Sequence, residues 1–219
     1  MTESSQTTRD IETLREWIRA TPPGGMVFFG GAGVSTESGI PDFRSADGIY
    51  SQDGIVSPEQ MVSRSFFDAH PKEFYDFYFG SMVFPDAQPN QAHRKLAELE
   101  QKGTLSAVIT QNVDGLHQKA GSRNVLELHG SSLRNYCVRC RTPYTAEELA
   151  AAHERASDGI PRCECGGIIR PDVVLYEEAL DTDVLRGAIE AISRANLLLI
   201  AGTSLVVYPA AGLIDYFRG

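Results

Sequence analysis

Residues 26–33 read MVFFGGAG, an apolar run that leads directly into a glycine-rich turn. Four apolar residues bounded by a turn predict a short, buried strand. Similar runs at residues 106–110, 125–128 and 197–201 predict three more strands. Helical patterns are spread among and after them, at residues 10–20, 58–69, 71–79, 90–101, 145–156, 180–193 and 210–217. This alternation predicts an α/β fold with a mostly parallel sheet.

A polar motif follows each of the four predicted strands. These motifs are residues 30–33 (GGAG), 111–114 (QNVD), 129–130 (HG) and 202–204 (GTS). Open parallel sheets bind ligands in the crevice outside the carboxyl ends of their strands. Four motifs at four such ends therefore predict one shared pocket.

Composition limits the classes of protein to which the chain can belong. It has 219 residues with 20 Lys and Arg against 29 Asp and Glu, a net charge of −9. A protein that coats nucleic-acid phosphates is usually basic, so we expect no direct nucleic-acid partner. No stretch approaches the roughly 20 apolar residues of a membrane helix, and residues 1–10 lack the apolar core of a signal peptide. We therefore expect a cytoplasmic protein with no membrane partner.

All four cysteines lie within one short segment, as Cys137-x-x-Cys140 and Cys163-x-Cys165. Two close pairs separated by a longer arm are typical of a tetrahedral zinc site. The alternative is a set of reduced thiols that bind no metal. Four thiolates leave no open coordination position, so the expected zinc is structural and belongs to an inserted module at residues 134–170.

Each of the other motifs also allows an interpretation unrelated to catalysis. The glycine-rich turn departs from the dinucleotide fingerprint, because Thr36 stands at its third glycine position, and it could be a plain strand-to-helix turn. Residues 111–114 could cap a helix, residues 173–176 could be a core strand, and residues 202–204 could be a simple turn. His129 stands at a strand end before a glycine, and its ordinary pKa near 6.5 suits proton removal. A lone histidine, however, is more often structural.

The motifs taken together resemble those of the sirtuin family. The stretch GGAGVSTESGIPDFR at residues 30–44 is similar to the sirtuin cofactor-binding loop almost letter for letter. The resemblance continues, in the family's order, through TQNVDGLH (110–117), LHG (128–130), the paired cysteines, RPDVVLY (170–176) and GTSL (202–205). It covers about residues 25–211.

This resemblance implies a fold, an activity and a set of functional residues. The fold is a Rossmann-like, doubly wound parallel sheet with the inserted zinc-binding module and a helical segment, and residues 10–219 form the NAD-binding deacetylase domain. The implied activity is NAD-dependent removal of acetyl groups from protein lysines, which yields nicotinamide and O-acetyl-ADP-ribose. NAD is then a co-substrate, the zinc is structural, and the partners are acetylated-lysine proteins or peptides. In this reaction His129 takes a proton from a ribose hydroxyl.

The residues that the resemblance assigns form four groups. The catalytic group is His129, Asn112 and Asp114. The cofactor-binding group is Gly31, Ala32, Gly33, Thr36, Ile40, Asp42, Phe43, Arg44, Gln111, Val113, Gly202, Thr203 and Ser204. The substrate-binding group is Val173, Val174, Leu175 and Tyr176. The metal ligands are Cys137, Cys140, Cys163 and Cys165.

Two alternatives to the deacetylase activity use the same pocket. One is a non-catalytic module that binds NAD or ADP-ribose, and the other is a mono-ADP-ribosyltransferase. Sirtuins continue with at least one further strand beyond the last motif, so the resemblance also implies a truncated C-terminal end, in either a fragment or a shortened form of the fold. We expect this chain, taken alone, to bind NAD weakly.

The expected acyl group is acetyl rather than succinyl. Sirtuins that remove succinyl or malonyl groups resemble one another in a Tyr-x-x-Arg pair in the segment after the cofactor loop. Between residues 45 and 90 this chain has Tyr50, Tyr75 and Tyr78, and Arg64 is the only arginine there. None of these tyrosines has an arginine three residues later, and a buried acidic group without a cation is costly.

Overall fold

A computed structural model describes residues 3–43, 45, 48–49 and 56–219 of the chain. Arg44 and Tyr50, which enter the sequence-based expectations, lie outside the described residues. The helices are α1 (Glu3–Ala20), α2 (Pro58–Met61), α3 (Arg64–Ala69), α4 (Pro71–Ser81), α5 (Gln91–Gln101), α6 (Leu116–Lys119), α7 (Ala146–Arg155) and α8 (Thr182–Arg194). None of the described helices is long and apolar enough to cross a membrane.

The main sheet has four strands: β1 (Met26–Gly30), β2 (Leu105–Thr110), β3 (Val125–Glu127) and β7 (Leu197–Ala201). Their spatial order is β3-β2-β1-β7, and every pairing is parallel. The chain builds outward from β1 through β2 to β3 and later returns to the other side of β1. Parallel sheets bind ligands where the strand order reverses in this way. The switch point lies between β1 and β7.

The sheet is covered on both faces, as the doubly wound prediction requires. Side chains along β1 alternate, because successive residues of a strand point to opposite faces. Val27 and Phe29 pack with Ala188 and Ile192 of α8. Phe28 belongs to the opposite core, which is completed by α5, with the partly buried Ile18 of α1 packed against it. The apolar run at residues 26–29 is therefore buried on both sides, and the Rossmann-like prediction is confirmed.

Several element bounds differ from those expected. Helix α1 begins at Glu3 rather than at residue 10. The single helix expected at residues 58–69 is two helices, because the Ser63 side chain accepts from the Phe66 N–H and starts a new N-terminus there. The final helical pattern forms a 3₁₀ helix, Ala210–Tyr216. These differences concern local capping and helix type, and they leave the predicted elements in the predicted order.

A second, antiparallel sheet carries the cysteines, and the sequence did not predict its strands. It consists of β4 (Gly130–Cys137), β5 (Pro143–Thr145) and β6 (Ile169–Val173), in the order β5-β4-β6. It reaches beyond residues 134–170 at both ends. Its core includes Cys137 and Leu149 and is shared with the aromatic side chains of α3 and α4. This sheet therefore packs on a large apolar cluster from elsewhere in the chain.

Candidate functional site

A cavity of about 620 Å³ lies at the carboxyl ends of the main-sheet strands and contains all four strand-end motifs. It is lined by the three residues predicted to be catalytic and by nearly all of the predicted cofactor-binding and substrate-binding residues. Among the described residues of these groups, Thr36 alone does not line it, and its hydroxyl donates instead to the Gly33 carbonyl at 3.1 Å. The lining set is Gly31, Ala32, Gly33, Ile40, Asp42, Phe43, Gln111, Asn112, Val113, Asp114, His129, Val173, Val174, Leu175, Tyr176, Gly202, Thr203 and Ser204.

The loops after β1 and β7 are in direct backbone contact. The Gly33 N–H donates to the Gly202 carbonyl at 2.9 Å. A Cβ atom on Gly33 would lie 2.9 Å from the Gly202 Cα, too close for any side chain. Gly202 has φ +63°, a left-handed conformation that glycine adopts without strain. The two glycines thus let the loops meet at the switch point and leave their backbone exposed to the cavity.

Ser35 links the two polar residues that follow β2. Its hydroxyl donates to Asp114 Oδ2 at 2.7 Å and accepts from Asn112 Nδ2 at 3.0 Å. The other Asp114 oxygen accepts the Leu116 N–H at 2.9 Å. Ser35 is 1% exposed, so these hydrogen bonds are shielded from bulk water. The amide and the carboxylate are therefore held in fixed positions at the cavity wall.

His129 has a defined tautomer. Its Nδ1 lies 3.0 Å from the Gln111 carbonyl oxygen, which can only accept a hydrogen bond. Nδ1 therefore carries the proton, and Nε2 is left free to accept one. Burial lowers the pKa of His129 below its ordinary value, although the bond to Gln111 opposes that shift. The ring is thus neutral at pH 7 and chemically suited to act as a base.

Gln111 also connects the site to the last strand. Its side-chain Nε2 donates to the Thr203 hydroxyl at 2.9 Å. The same hydroxyl accepts the Leu205 N–H at 3.2 Å. The motifs after β2 and β7 are therefore joined across β1, and the site forms one connected network.

The predicted substrate segment lies along another wall of the cavity. Only Val173 of the four residues belongs to β6; the strand ends there, and the segment continues as a loop. The Val174 N–H donates to the His129 carbonyl at 2.9 Å. The Tyr176 N–H donates to the Val62 carbonyl at 3.0 Å, and the Tyr176 carbonyl accepts the Arg64 N–H at 3.0 Å. Backbone hydrogen bonds therefore hold this wall against His129 and against the start of α3.

The four cysteine sulfurs form a group that suits a metal ion. All four Sγ atoms lie within 4.8 Å of one another, with Cys137 and Cys165 3.4 Å apart and Cys140 and Cys163 3.6 Å apart. A zinc ion with Zn–S bonds of about 2.3 Å in a tetrahedron separates its sulfurs by about 3.8 Å. A disulfide would need about 2.05 Å. The residues present therefore fit a zinc site with four thiolate ligands, and this site lies outside the cavity lining.

Sequence reasoning missed two kinds of cavity residue. Ser35 stands inside the quoted cofactor loop, between two short 3₁₀ turns, and its local sequence does not indicate the side chains that it bonds. The second kind is apolar: Val62, Met82 and Phe84, from the helical region, form part of the cavity wall. No motif marks these three residues, since each looks like an ordinary core position.

Comparison with known proteins identifies the family. The model of the Sir2 family matches residues 31–209. An NAD-dependent protein deacetylase of Clostridium perfringens is 58% identical over 213 residues, which cover 95% of this chain and 84% of the relative. A protein of the same name from Cutibacterium acnes is 53% identical over 210 residues, covering 95% and 83%.

Solved structures agree with this assignment. A Sir2 complex with a p53 peptide and NAD+ has a TM-score of 0.82 at 44% identity, covering 94% of this chain and 81% of that one. A Sir2 variant with deacetylated p53 peptide and 3'-O-acetyl ADP ribose has a TM-score of 0.86, also at 44% identity and with the same coverage. The chain belongs to the Sir2 family, the sirtuins.

Proposed function

We propose that this protein is an NAD-dependent protein-lysine deacetylase that produces nicotinamide and O-acetyl-ADP-ribose. The observation that carries this proposal is the meeting of all four strand-end motifs in one cavity that contains a neutral histidine with a free Nε2. The relatives named above carry this activity in their names, and the solved Sir2 complexes contain NAD+ with a p53 peptide, and a deacetylated p53 peptide with 3'-O-acetyl ADP ribose. A sensor that only binds NAD would not need a base held in this tautomer.

NAD supplies the ADP-ribosyl group, and this chain's residues bind and orient it. Gly31 and Gly33 line the cavity and carry no side chain, which allows close approach of the phosphates to their backbone. Asn112 and Asp114, fixed by Ser35, hold the nicotinamide carboxamide and the ribose. This role is supported by the position of their side chains on the cavity wall.

The other predicted cofactor residues complete that binding surface. Phe43 covers the reacting sugar and excludes water, while Val113 packs against the nicotinamide. Thr203 and Ser204 bind cofactor oxygens together with Gln111. Ala32, Ile40, Asp42 and Gly202 line the same cavity, which supports their assignment. Thr36 acts indirectly by bonding the Gly33 carbonyl, and the role proposed for Arg44 rests on the resemblance alone.

His129 performs the proton transfer. The acetyl oxygen of the substrate displaces nicotinamide from the ribose, and a ribose hydroxyl then attacks the acetyl carbon. Addition of water and loss of the lysine amine then give the free lysine and O-acetyl-ADP-ribose. Nε2 of His129 takes the proton from that hydroxyl, while the Nδ1–H bond to Gln111 stabilises the cation that forms. Val173, Val174, Leu175 and Tyr176 form the apolar wall for the acyl-lysine and an edge on which the peptide adds as a strand.

The zinc ion is structural, and residues 134–170 are the core of its module within a deacetylase domain at residues 10–219. Cys137, Cys140, Cys163 and Cys165 hold it, and they stabilise the sheet that carries them. We also propose a cytoplasmic location. It is supported by four cysteines that form no disulfide, which suits a reducing compartment.

Mass spectrometry of an acetyl-lysine peptide tests this function. The peptide is incubated with the purified protein, with and without NAD, beside the His129→Ala variant. We expect NAD-dependent loss of the acetyl group and equimolar nicotinamide from the wild type alone. ADP-ribose attached to protein, with the peptide still acetylated, would identify the ADP-ribosyltransferase alternative. Binding of NAD without any nicotinamide release would identify the non-catalytic one.

A further inference from the structure

A buried ion pair joins the cysteine-bearing sheet to the proposed acyl-lysine wall. Arg170, on β6, is only 3% exposed, and its Nη1 and Nη2 atoms donate to the two Glu178 carboxylate oxygens at 2.7 and 2.9 Å. Glu178 itself lines the cavity. Two parallel hydrogen bonds of this kind fix direction as well as distance, which a single charge contact does not. The pair therefore sets where Glu178 stands relative to β6.

Both partners also bind the backbone of the wall. The Glu178 carboxylate accepts the Leu175 N–H at 2.9 Å, and Nη2 of Arg170 donates to the Val173 carbonyl at 2.9 Å. Arg64 adds a longer bond to the same carboxylate, at 3.2 Å. The ion pair thus holds the backbone on each side of Val174, beyond the end of β6, and adds to the hydrogen bond from the Val174 N–H to the His129 carbonyl.

The turn that follows requires such support. Glu177 has φ +77°, a left-handed conformation that is unfavourable for a residue with a side chain. Its carboxylate is held by the Ser65 N–H and hydroxyl, each at 2.9 Å. The Glu178 N–H donates to the Leu175 carbonyl and closes the turn. Contacts from other parts of the chain therefore impose this shape on the segment.

We propose that Arg170 and Glu178 are positioning residues that shape the acyl-lysine wall and connect it to the zinc-bearing sheet. Arg170 pairs with Tyr136 in that sheet, and the next pair along joins Ile169 to Cys137. A displacement at the cysteine cluster is therefore transmitted within one residue to the ion pair, and from there to the wall. This role rests on the proposed deacetylase function, and it assigns acyl-lysine binding, rather than NAD binding, as the step that the pair controls.

Steady-state kinetics of the Glu178→Gln variant test this role. The amide keeps the size of the side chain but presents an N–H group to Arg170 and leaves that cation unpaired. We expect the KM for a synthetic acetyl-lysine peptide to rise about tenfold or more, with kcat at saturation and the KM for NAD within about twofold. Zinc content should stay at one ion per chain, because the cysteines are untouched.

Two further variants make the outcome decisive. Arg170→Lys keeps the buried charge but cannot span both oxygens and the Val173 carbonyl, so it should raise the same KM by a smaller factor even where Glu178→Gln folds poorly. The matched control is Asp158→Asn, which removes another two-bond arginine pair from the same part of the chain, one that is exposed. This variant should keep kcat and the KM values for the peptide and for NAD within about twofold of the wild type.

Separate results overturn the two proposals. Folded Glu178→Gln and Arg170→Lys proteins with unchanged peptide KM would remove the positioning role, as would an equal rise in the KM for NAD. An unmodified protein that fails to deacetylate the peptide would instead overturn the proposed function, before any variant is compared.

Discussion

Ser35→Ala is the substitution that most directly tests how the cavity orients NAD. The hydroxyl makes one hydrogen bond to an amide and one to a carboxylate. Such bonds contribute roughly 1 kcal/mol and about 1.5–3 kcal/mol respectively, or about 2.5–4 kcal/mol together. At about 1.4 kcal/mol per factor of ten, complete loss of both bonds would lower kcat/KM for NAD by roughly 60-fold to 700-fold.

Other hydrogen bonds around Asn112 and Asp114 make the expected effect of Ser35→Ala smaller than this upper limit. Asp114 keeps its bond from the Leu116 N–H, and the Asn112 backbone N–H keeps its bond to the Thr110 hydroxyl. The Asp114 side chain therefore keeps one anchor, and the Asn112 backbone stays in place although its side chain loses the bond to Ser35. We expect kcat/KM for NAD to fall about 10-fold to 100-fold, with little change in the KM for the acetylated peptide.

Initial rates of nicotinamide release across a range of NAD concentrations measure this effect. The matched control is Ser38→Ala in the same loop, because the Ser38 hydroxyl is buried and has no hydrogen-bond partner within the described part of the chain. It should behave like the wild type. A Ser35→Ala protein within twofold of the wild type would refute the reasoning. An equal fall of kcat/KM in both variants would mean that any change in this loop impairs NAD binding, and not the loss of the Ser35 hydrogen bonds in particular.

Four other outcomes follow from the site and its surroundings. His129→Ala should lower the rate of deacetylation about 10²-fold to 10⁴-fold in a folded protein. The kcat/KM of the wild type should stay constant as the pH is lowered, and should fall only below about pH 6.5, because burial lowers the pKa of His129. A fall in kcat/KM centred above that pH would contradict the assignment of His129 as the base. Elemental analysis should find one zinc per chain, and chelation, like Cys163→Ser, should lower the melting temperature. Acetyl should be removed faster than succinyl, since no Lys or Arg is among the described cavity-lining residues; faster turnover of a succinylated peptide would overturn this. Burial and the neighbouring His93 lower the pKa of His117 to about 3. At pH 5 only the unfolded chain therefore binds a proton at this residue, which removes about 2 kcal/mol of the free energy of unfolding. Urea unfolding should show that the His117→Phe variant loses less stability between pH 7 and pH 5 than the wild type does.

The parts of the site that the sequence predicts are those marked by local patterns. The apolar run at residues 26–29 and the glycines behind it are adjacent in the chain, so a strand and its end can be recognised together. The same holds for residues 197–204. Cysteine spacing is equally local, and the structure brings the four sulfurs together as expected. Fold class, pocket position and metal group could therefore all be predicted.

The parts that could not be predicted depend on partners far apart in the chain. Ser35 bonds two side chains nearly eighty positions away, and nothing in its own neighbourhood indicates them. Arg170 and Glu178 are only eight positions apart, but the importance of this pair comes from the burial of Arg170, which the spacing does not reveal. The strands of the second sheet are also weakly patterned, since β4 alternates between exposed and buried residues irregularly.

The contact between Gly33 and Gly202 has a consequence for the order of folding. Its two partners lie far apart in the sequence, and segments separated in this way meet late, because closing a long loop costs entropy before any contact rewards it. β7 is also synthesised after every other described strand. During refolding, helical signal should therefore recover before the capacity to bind NAD does, and the interval between the two reports the docking of β7 beside β1.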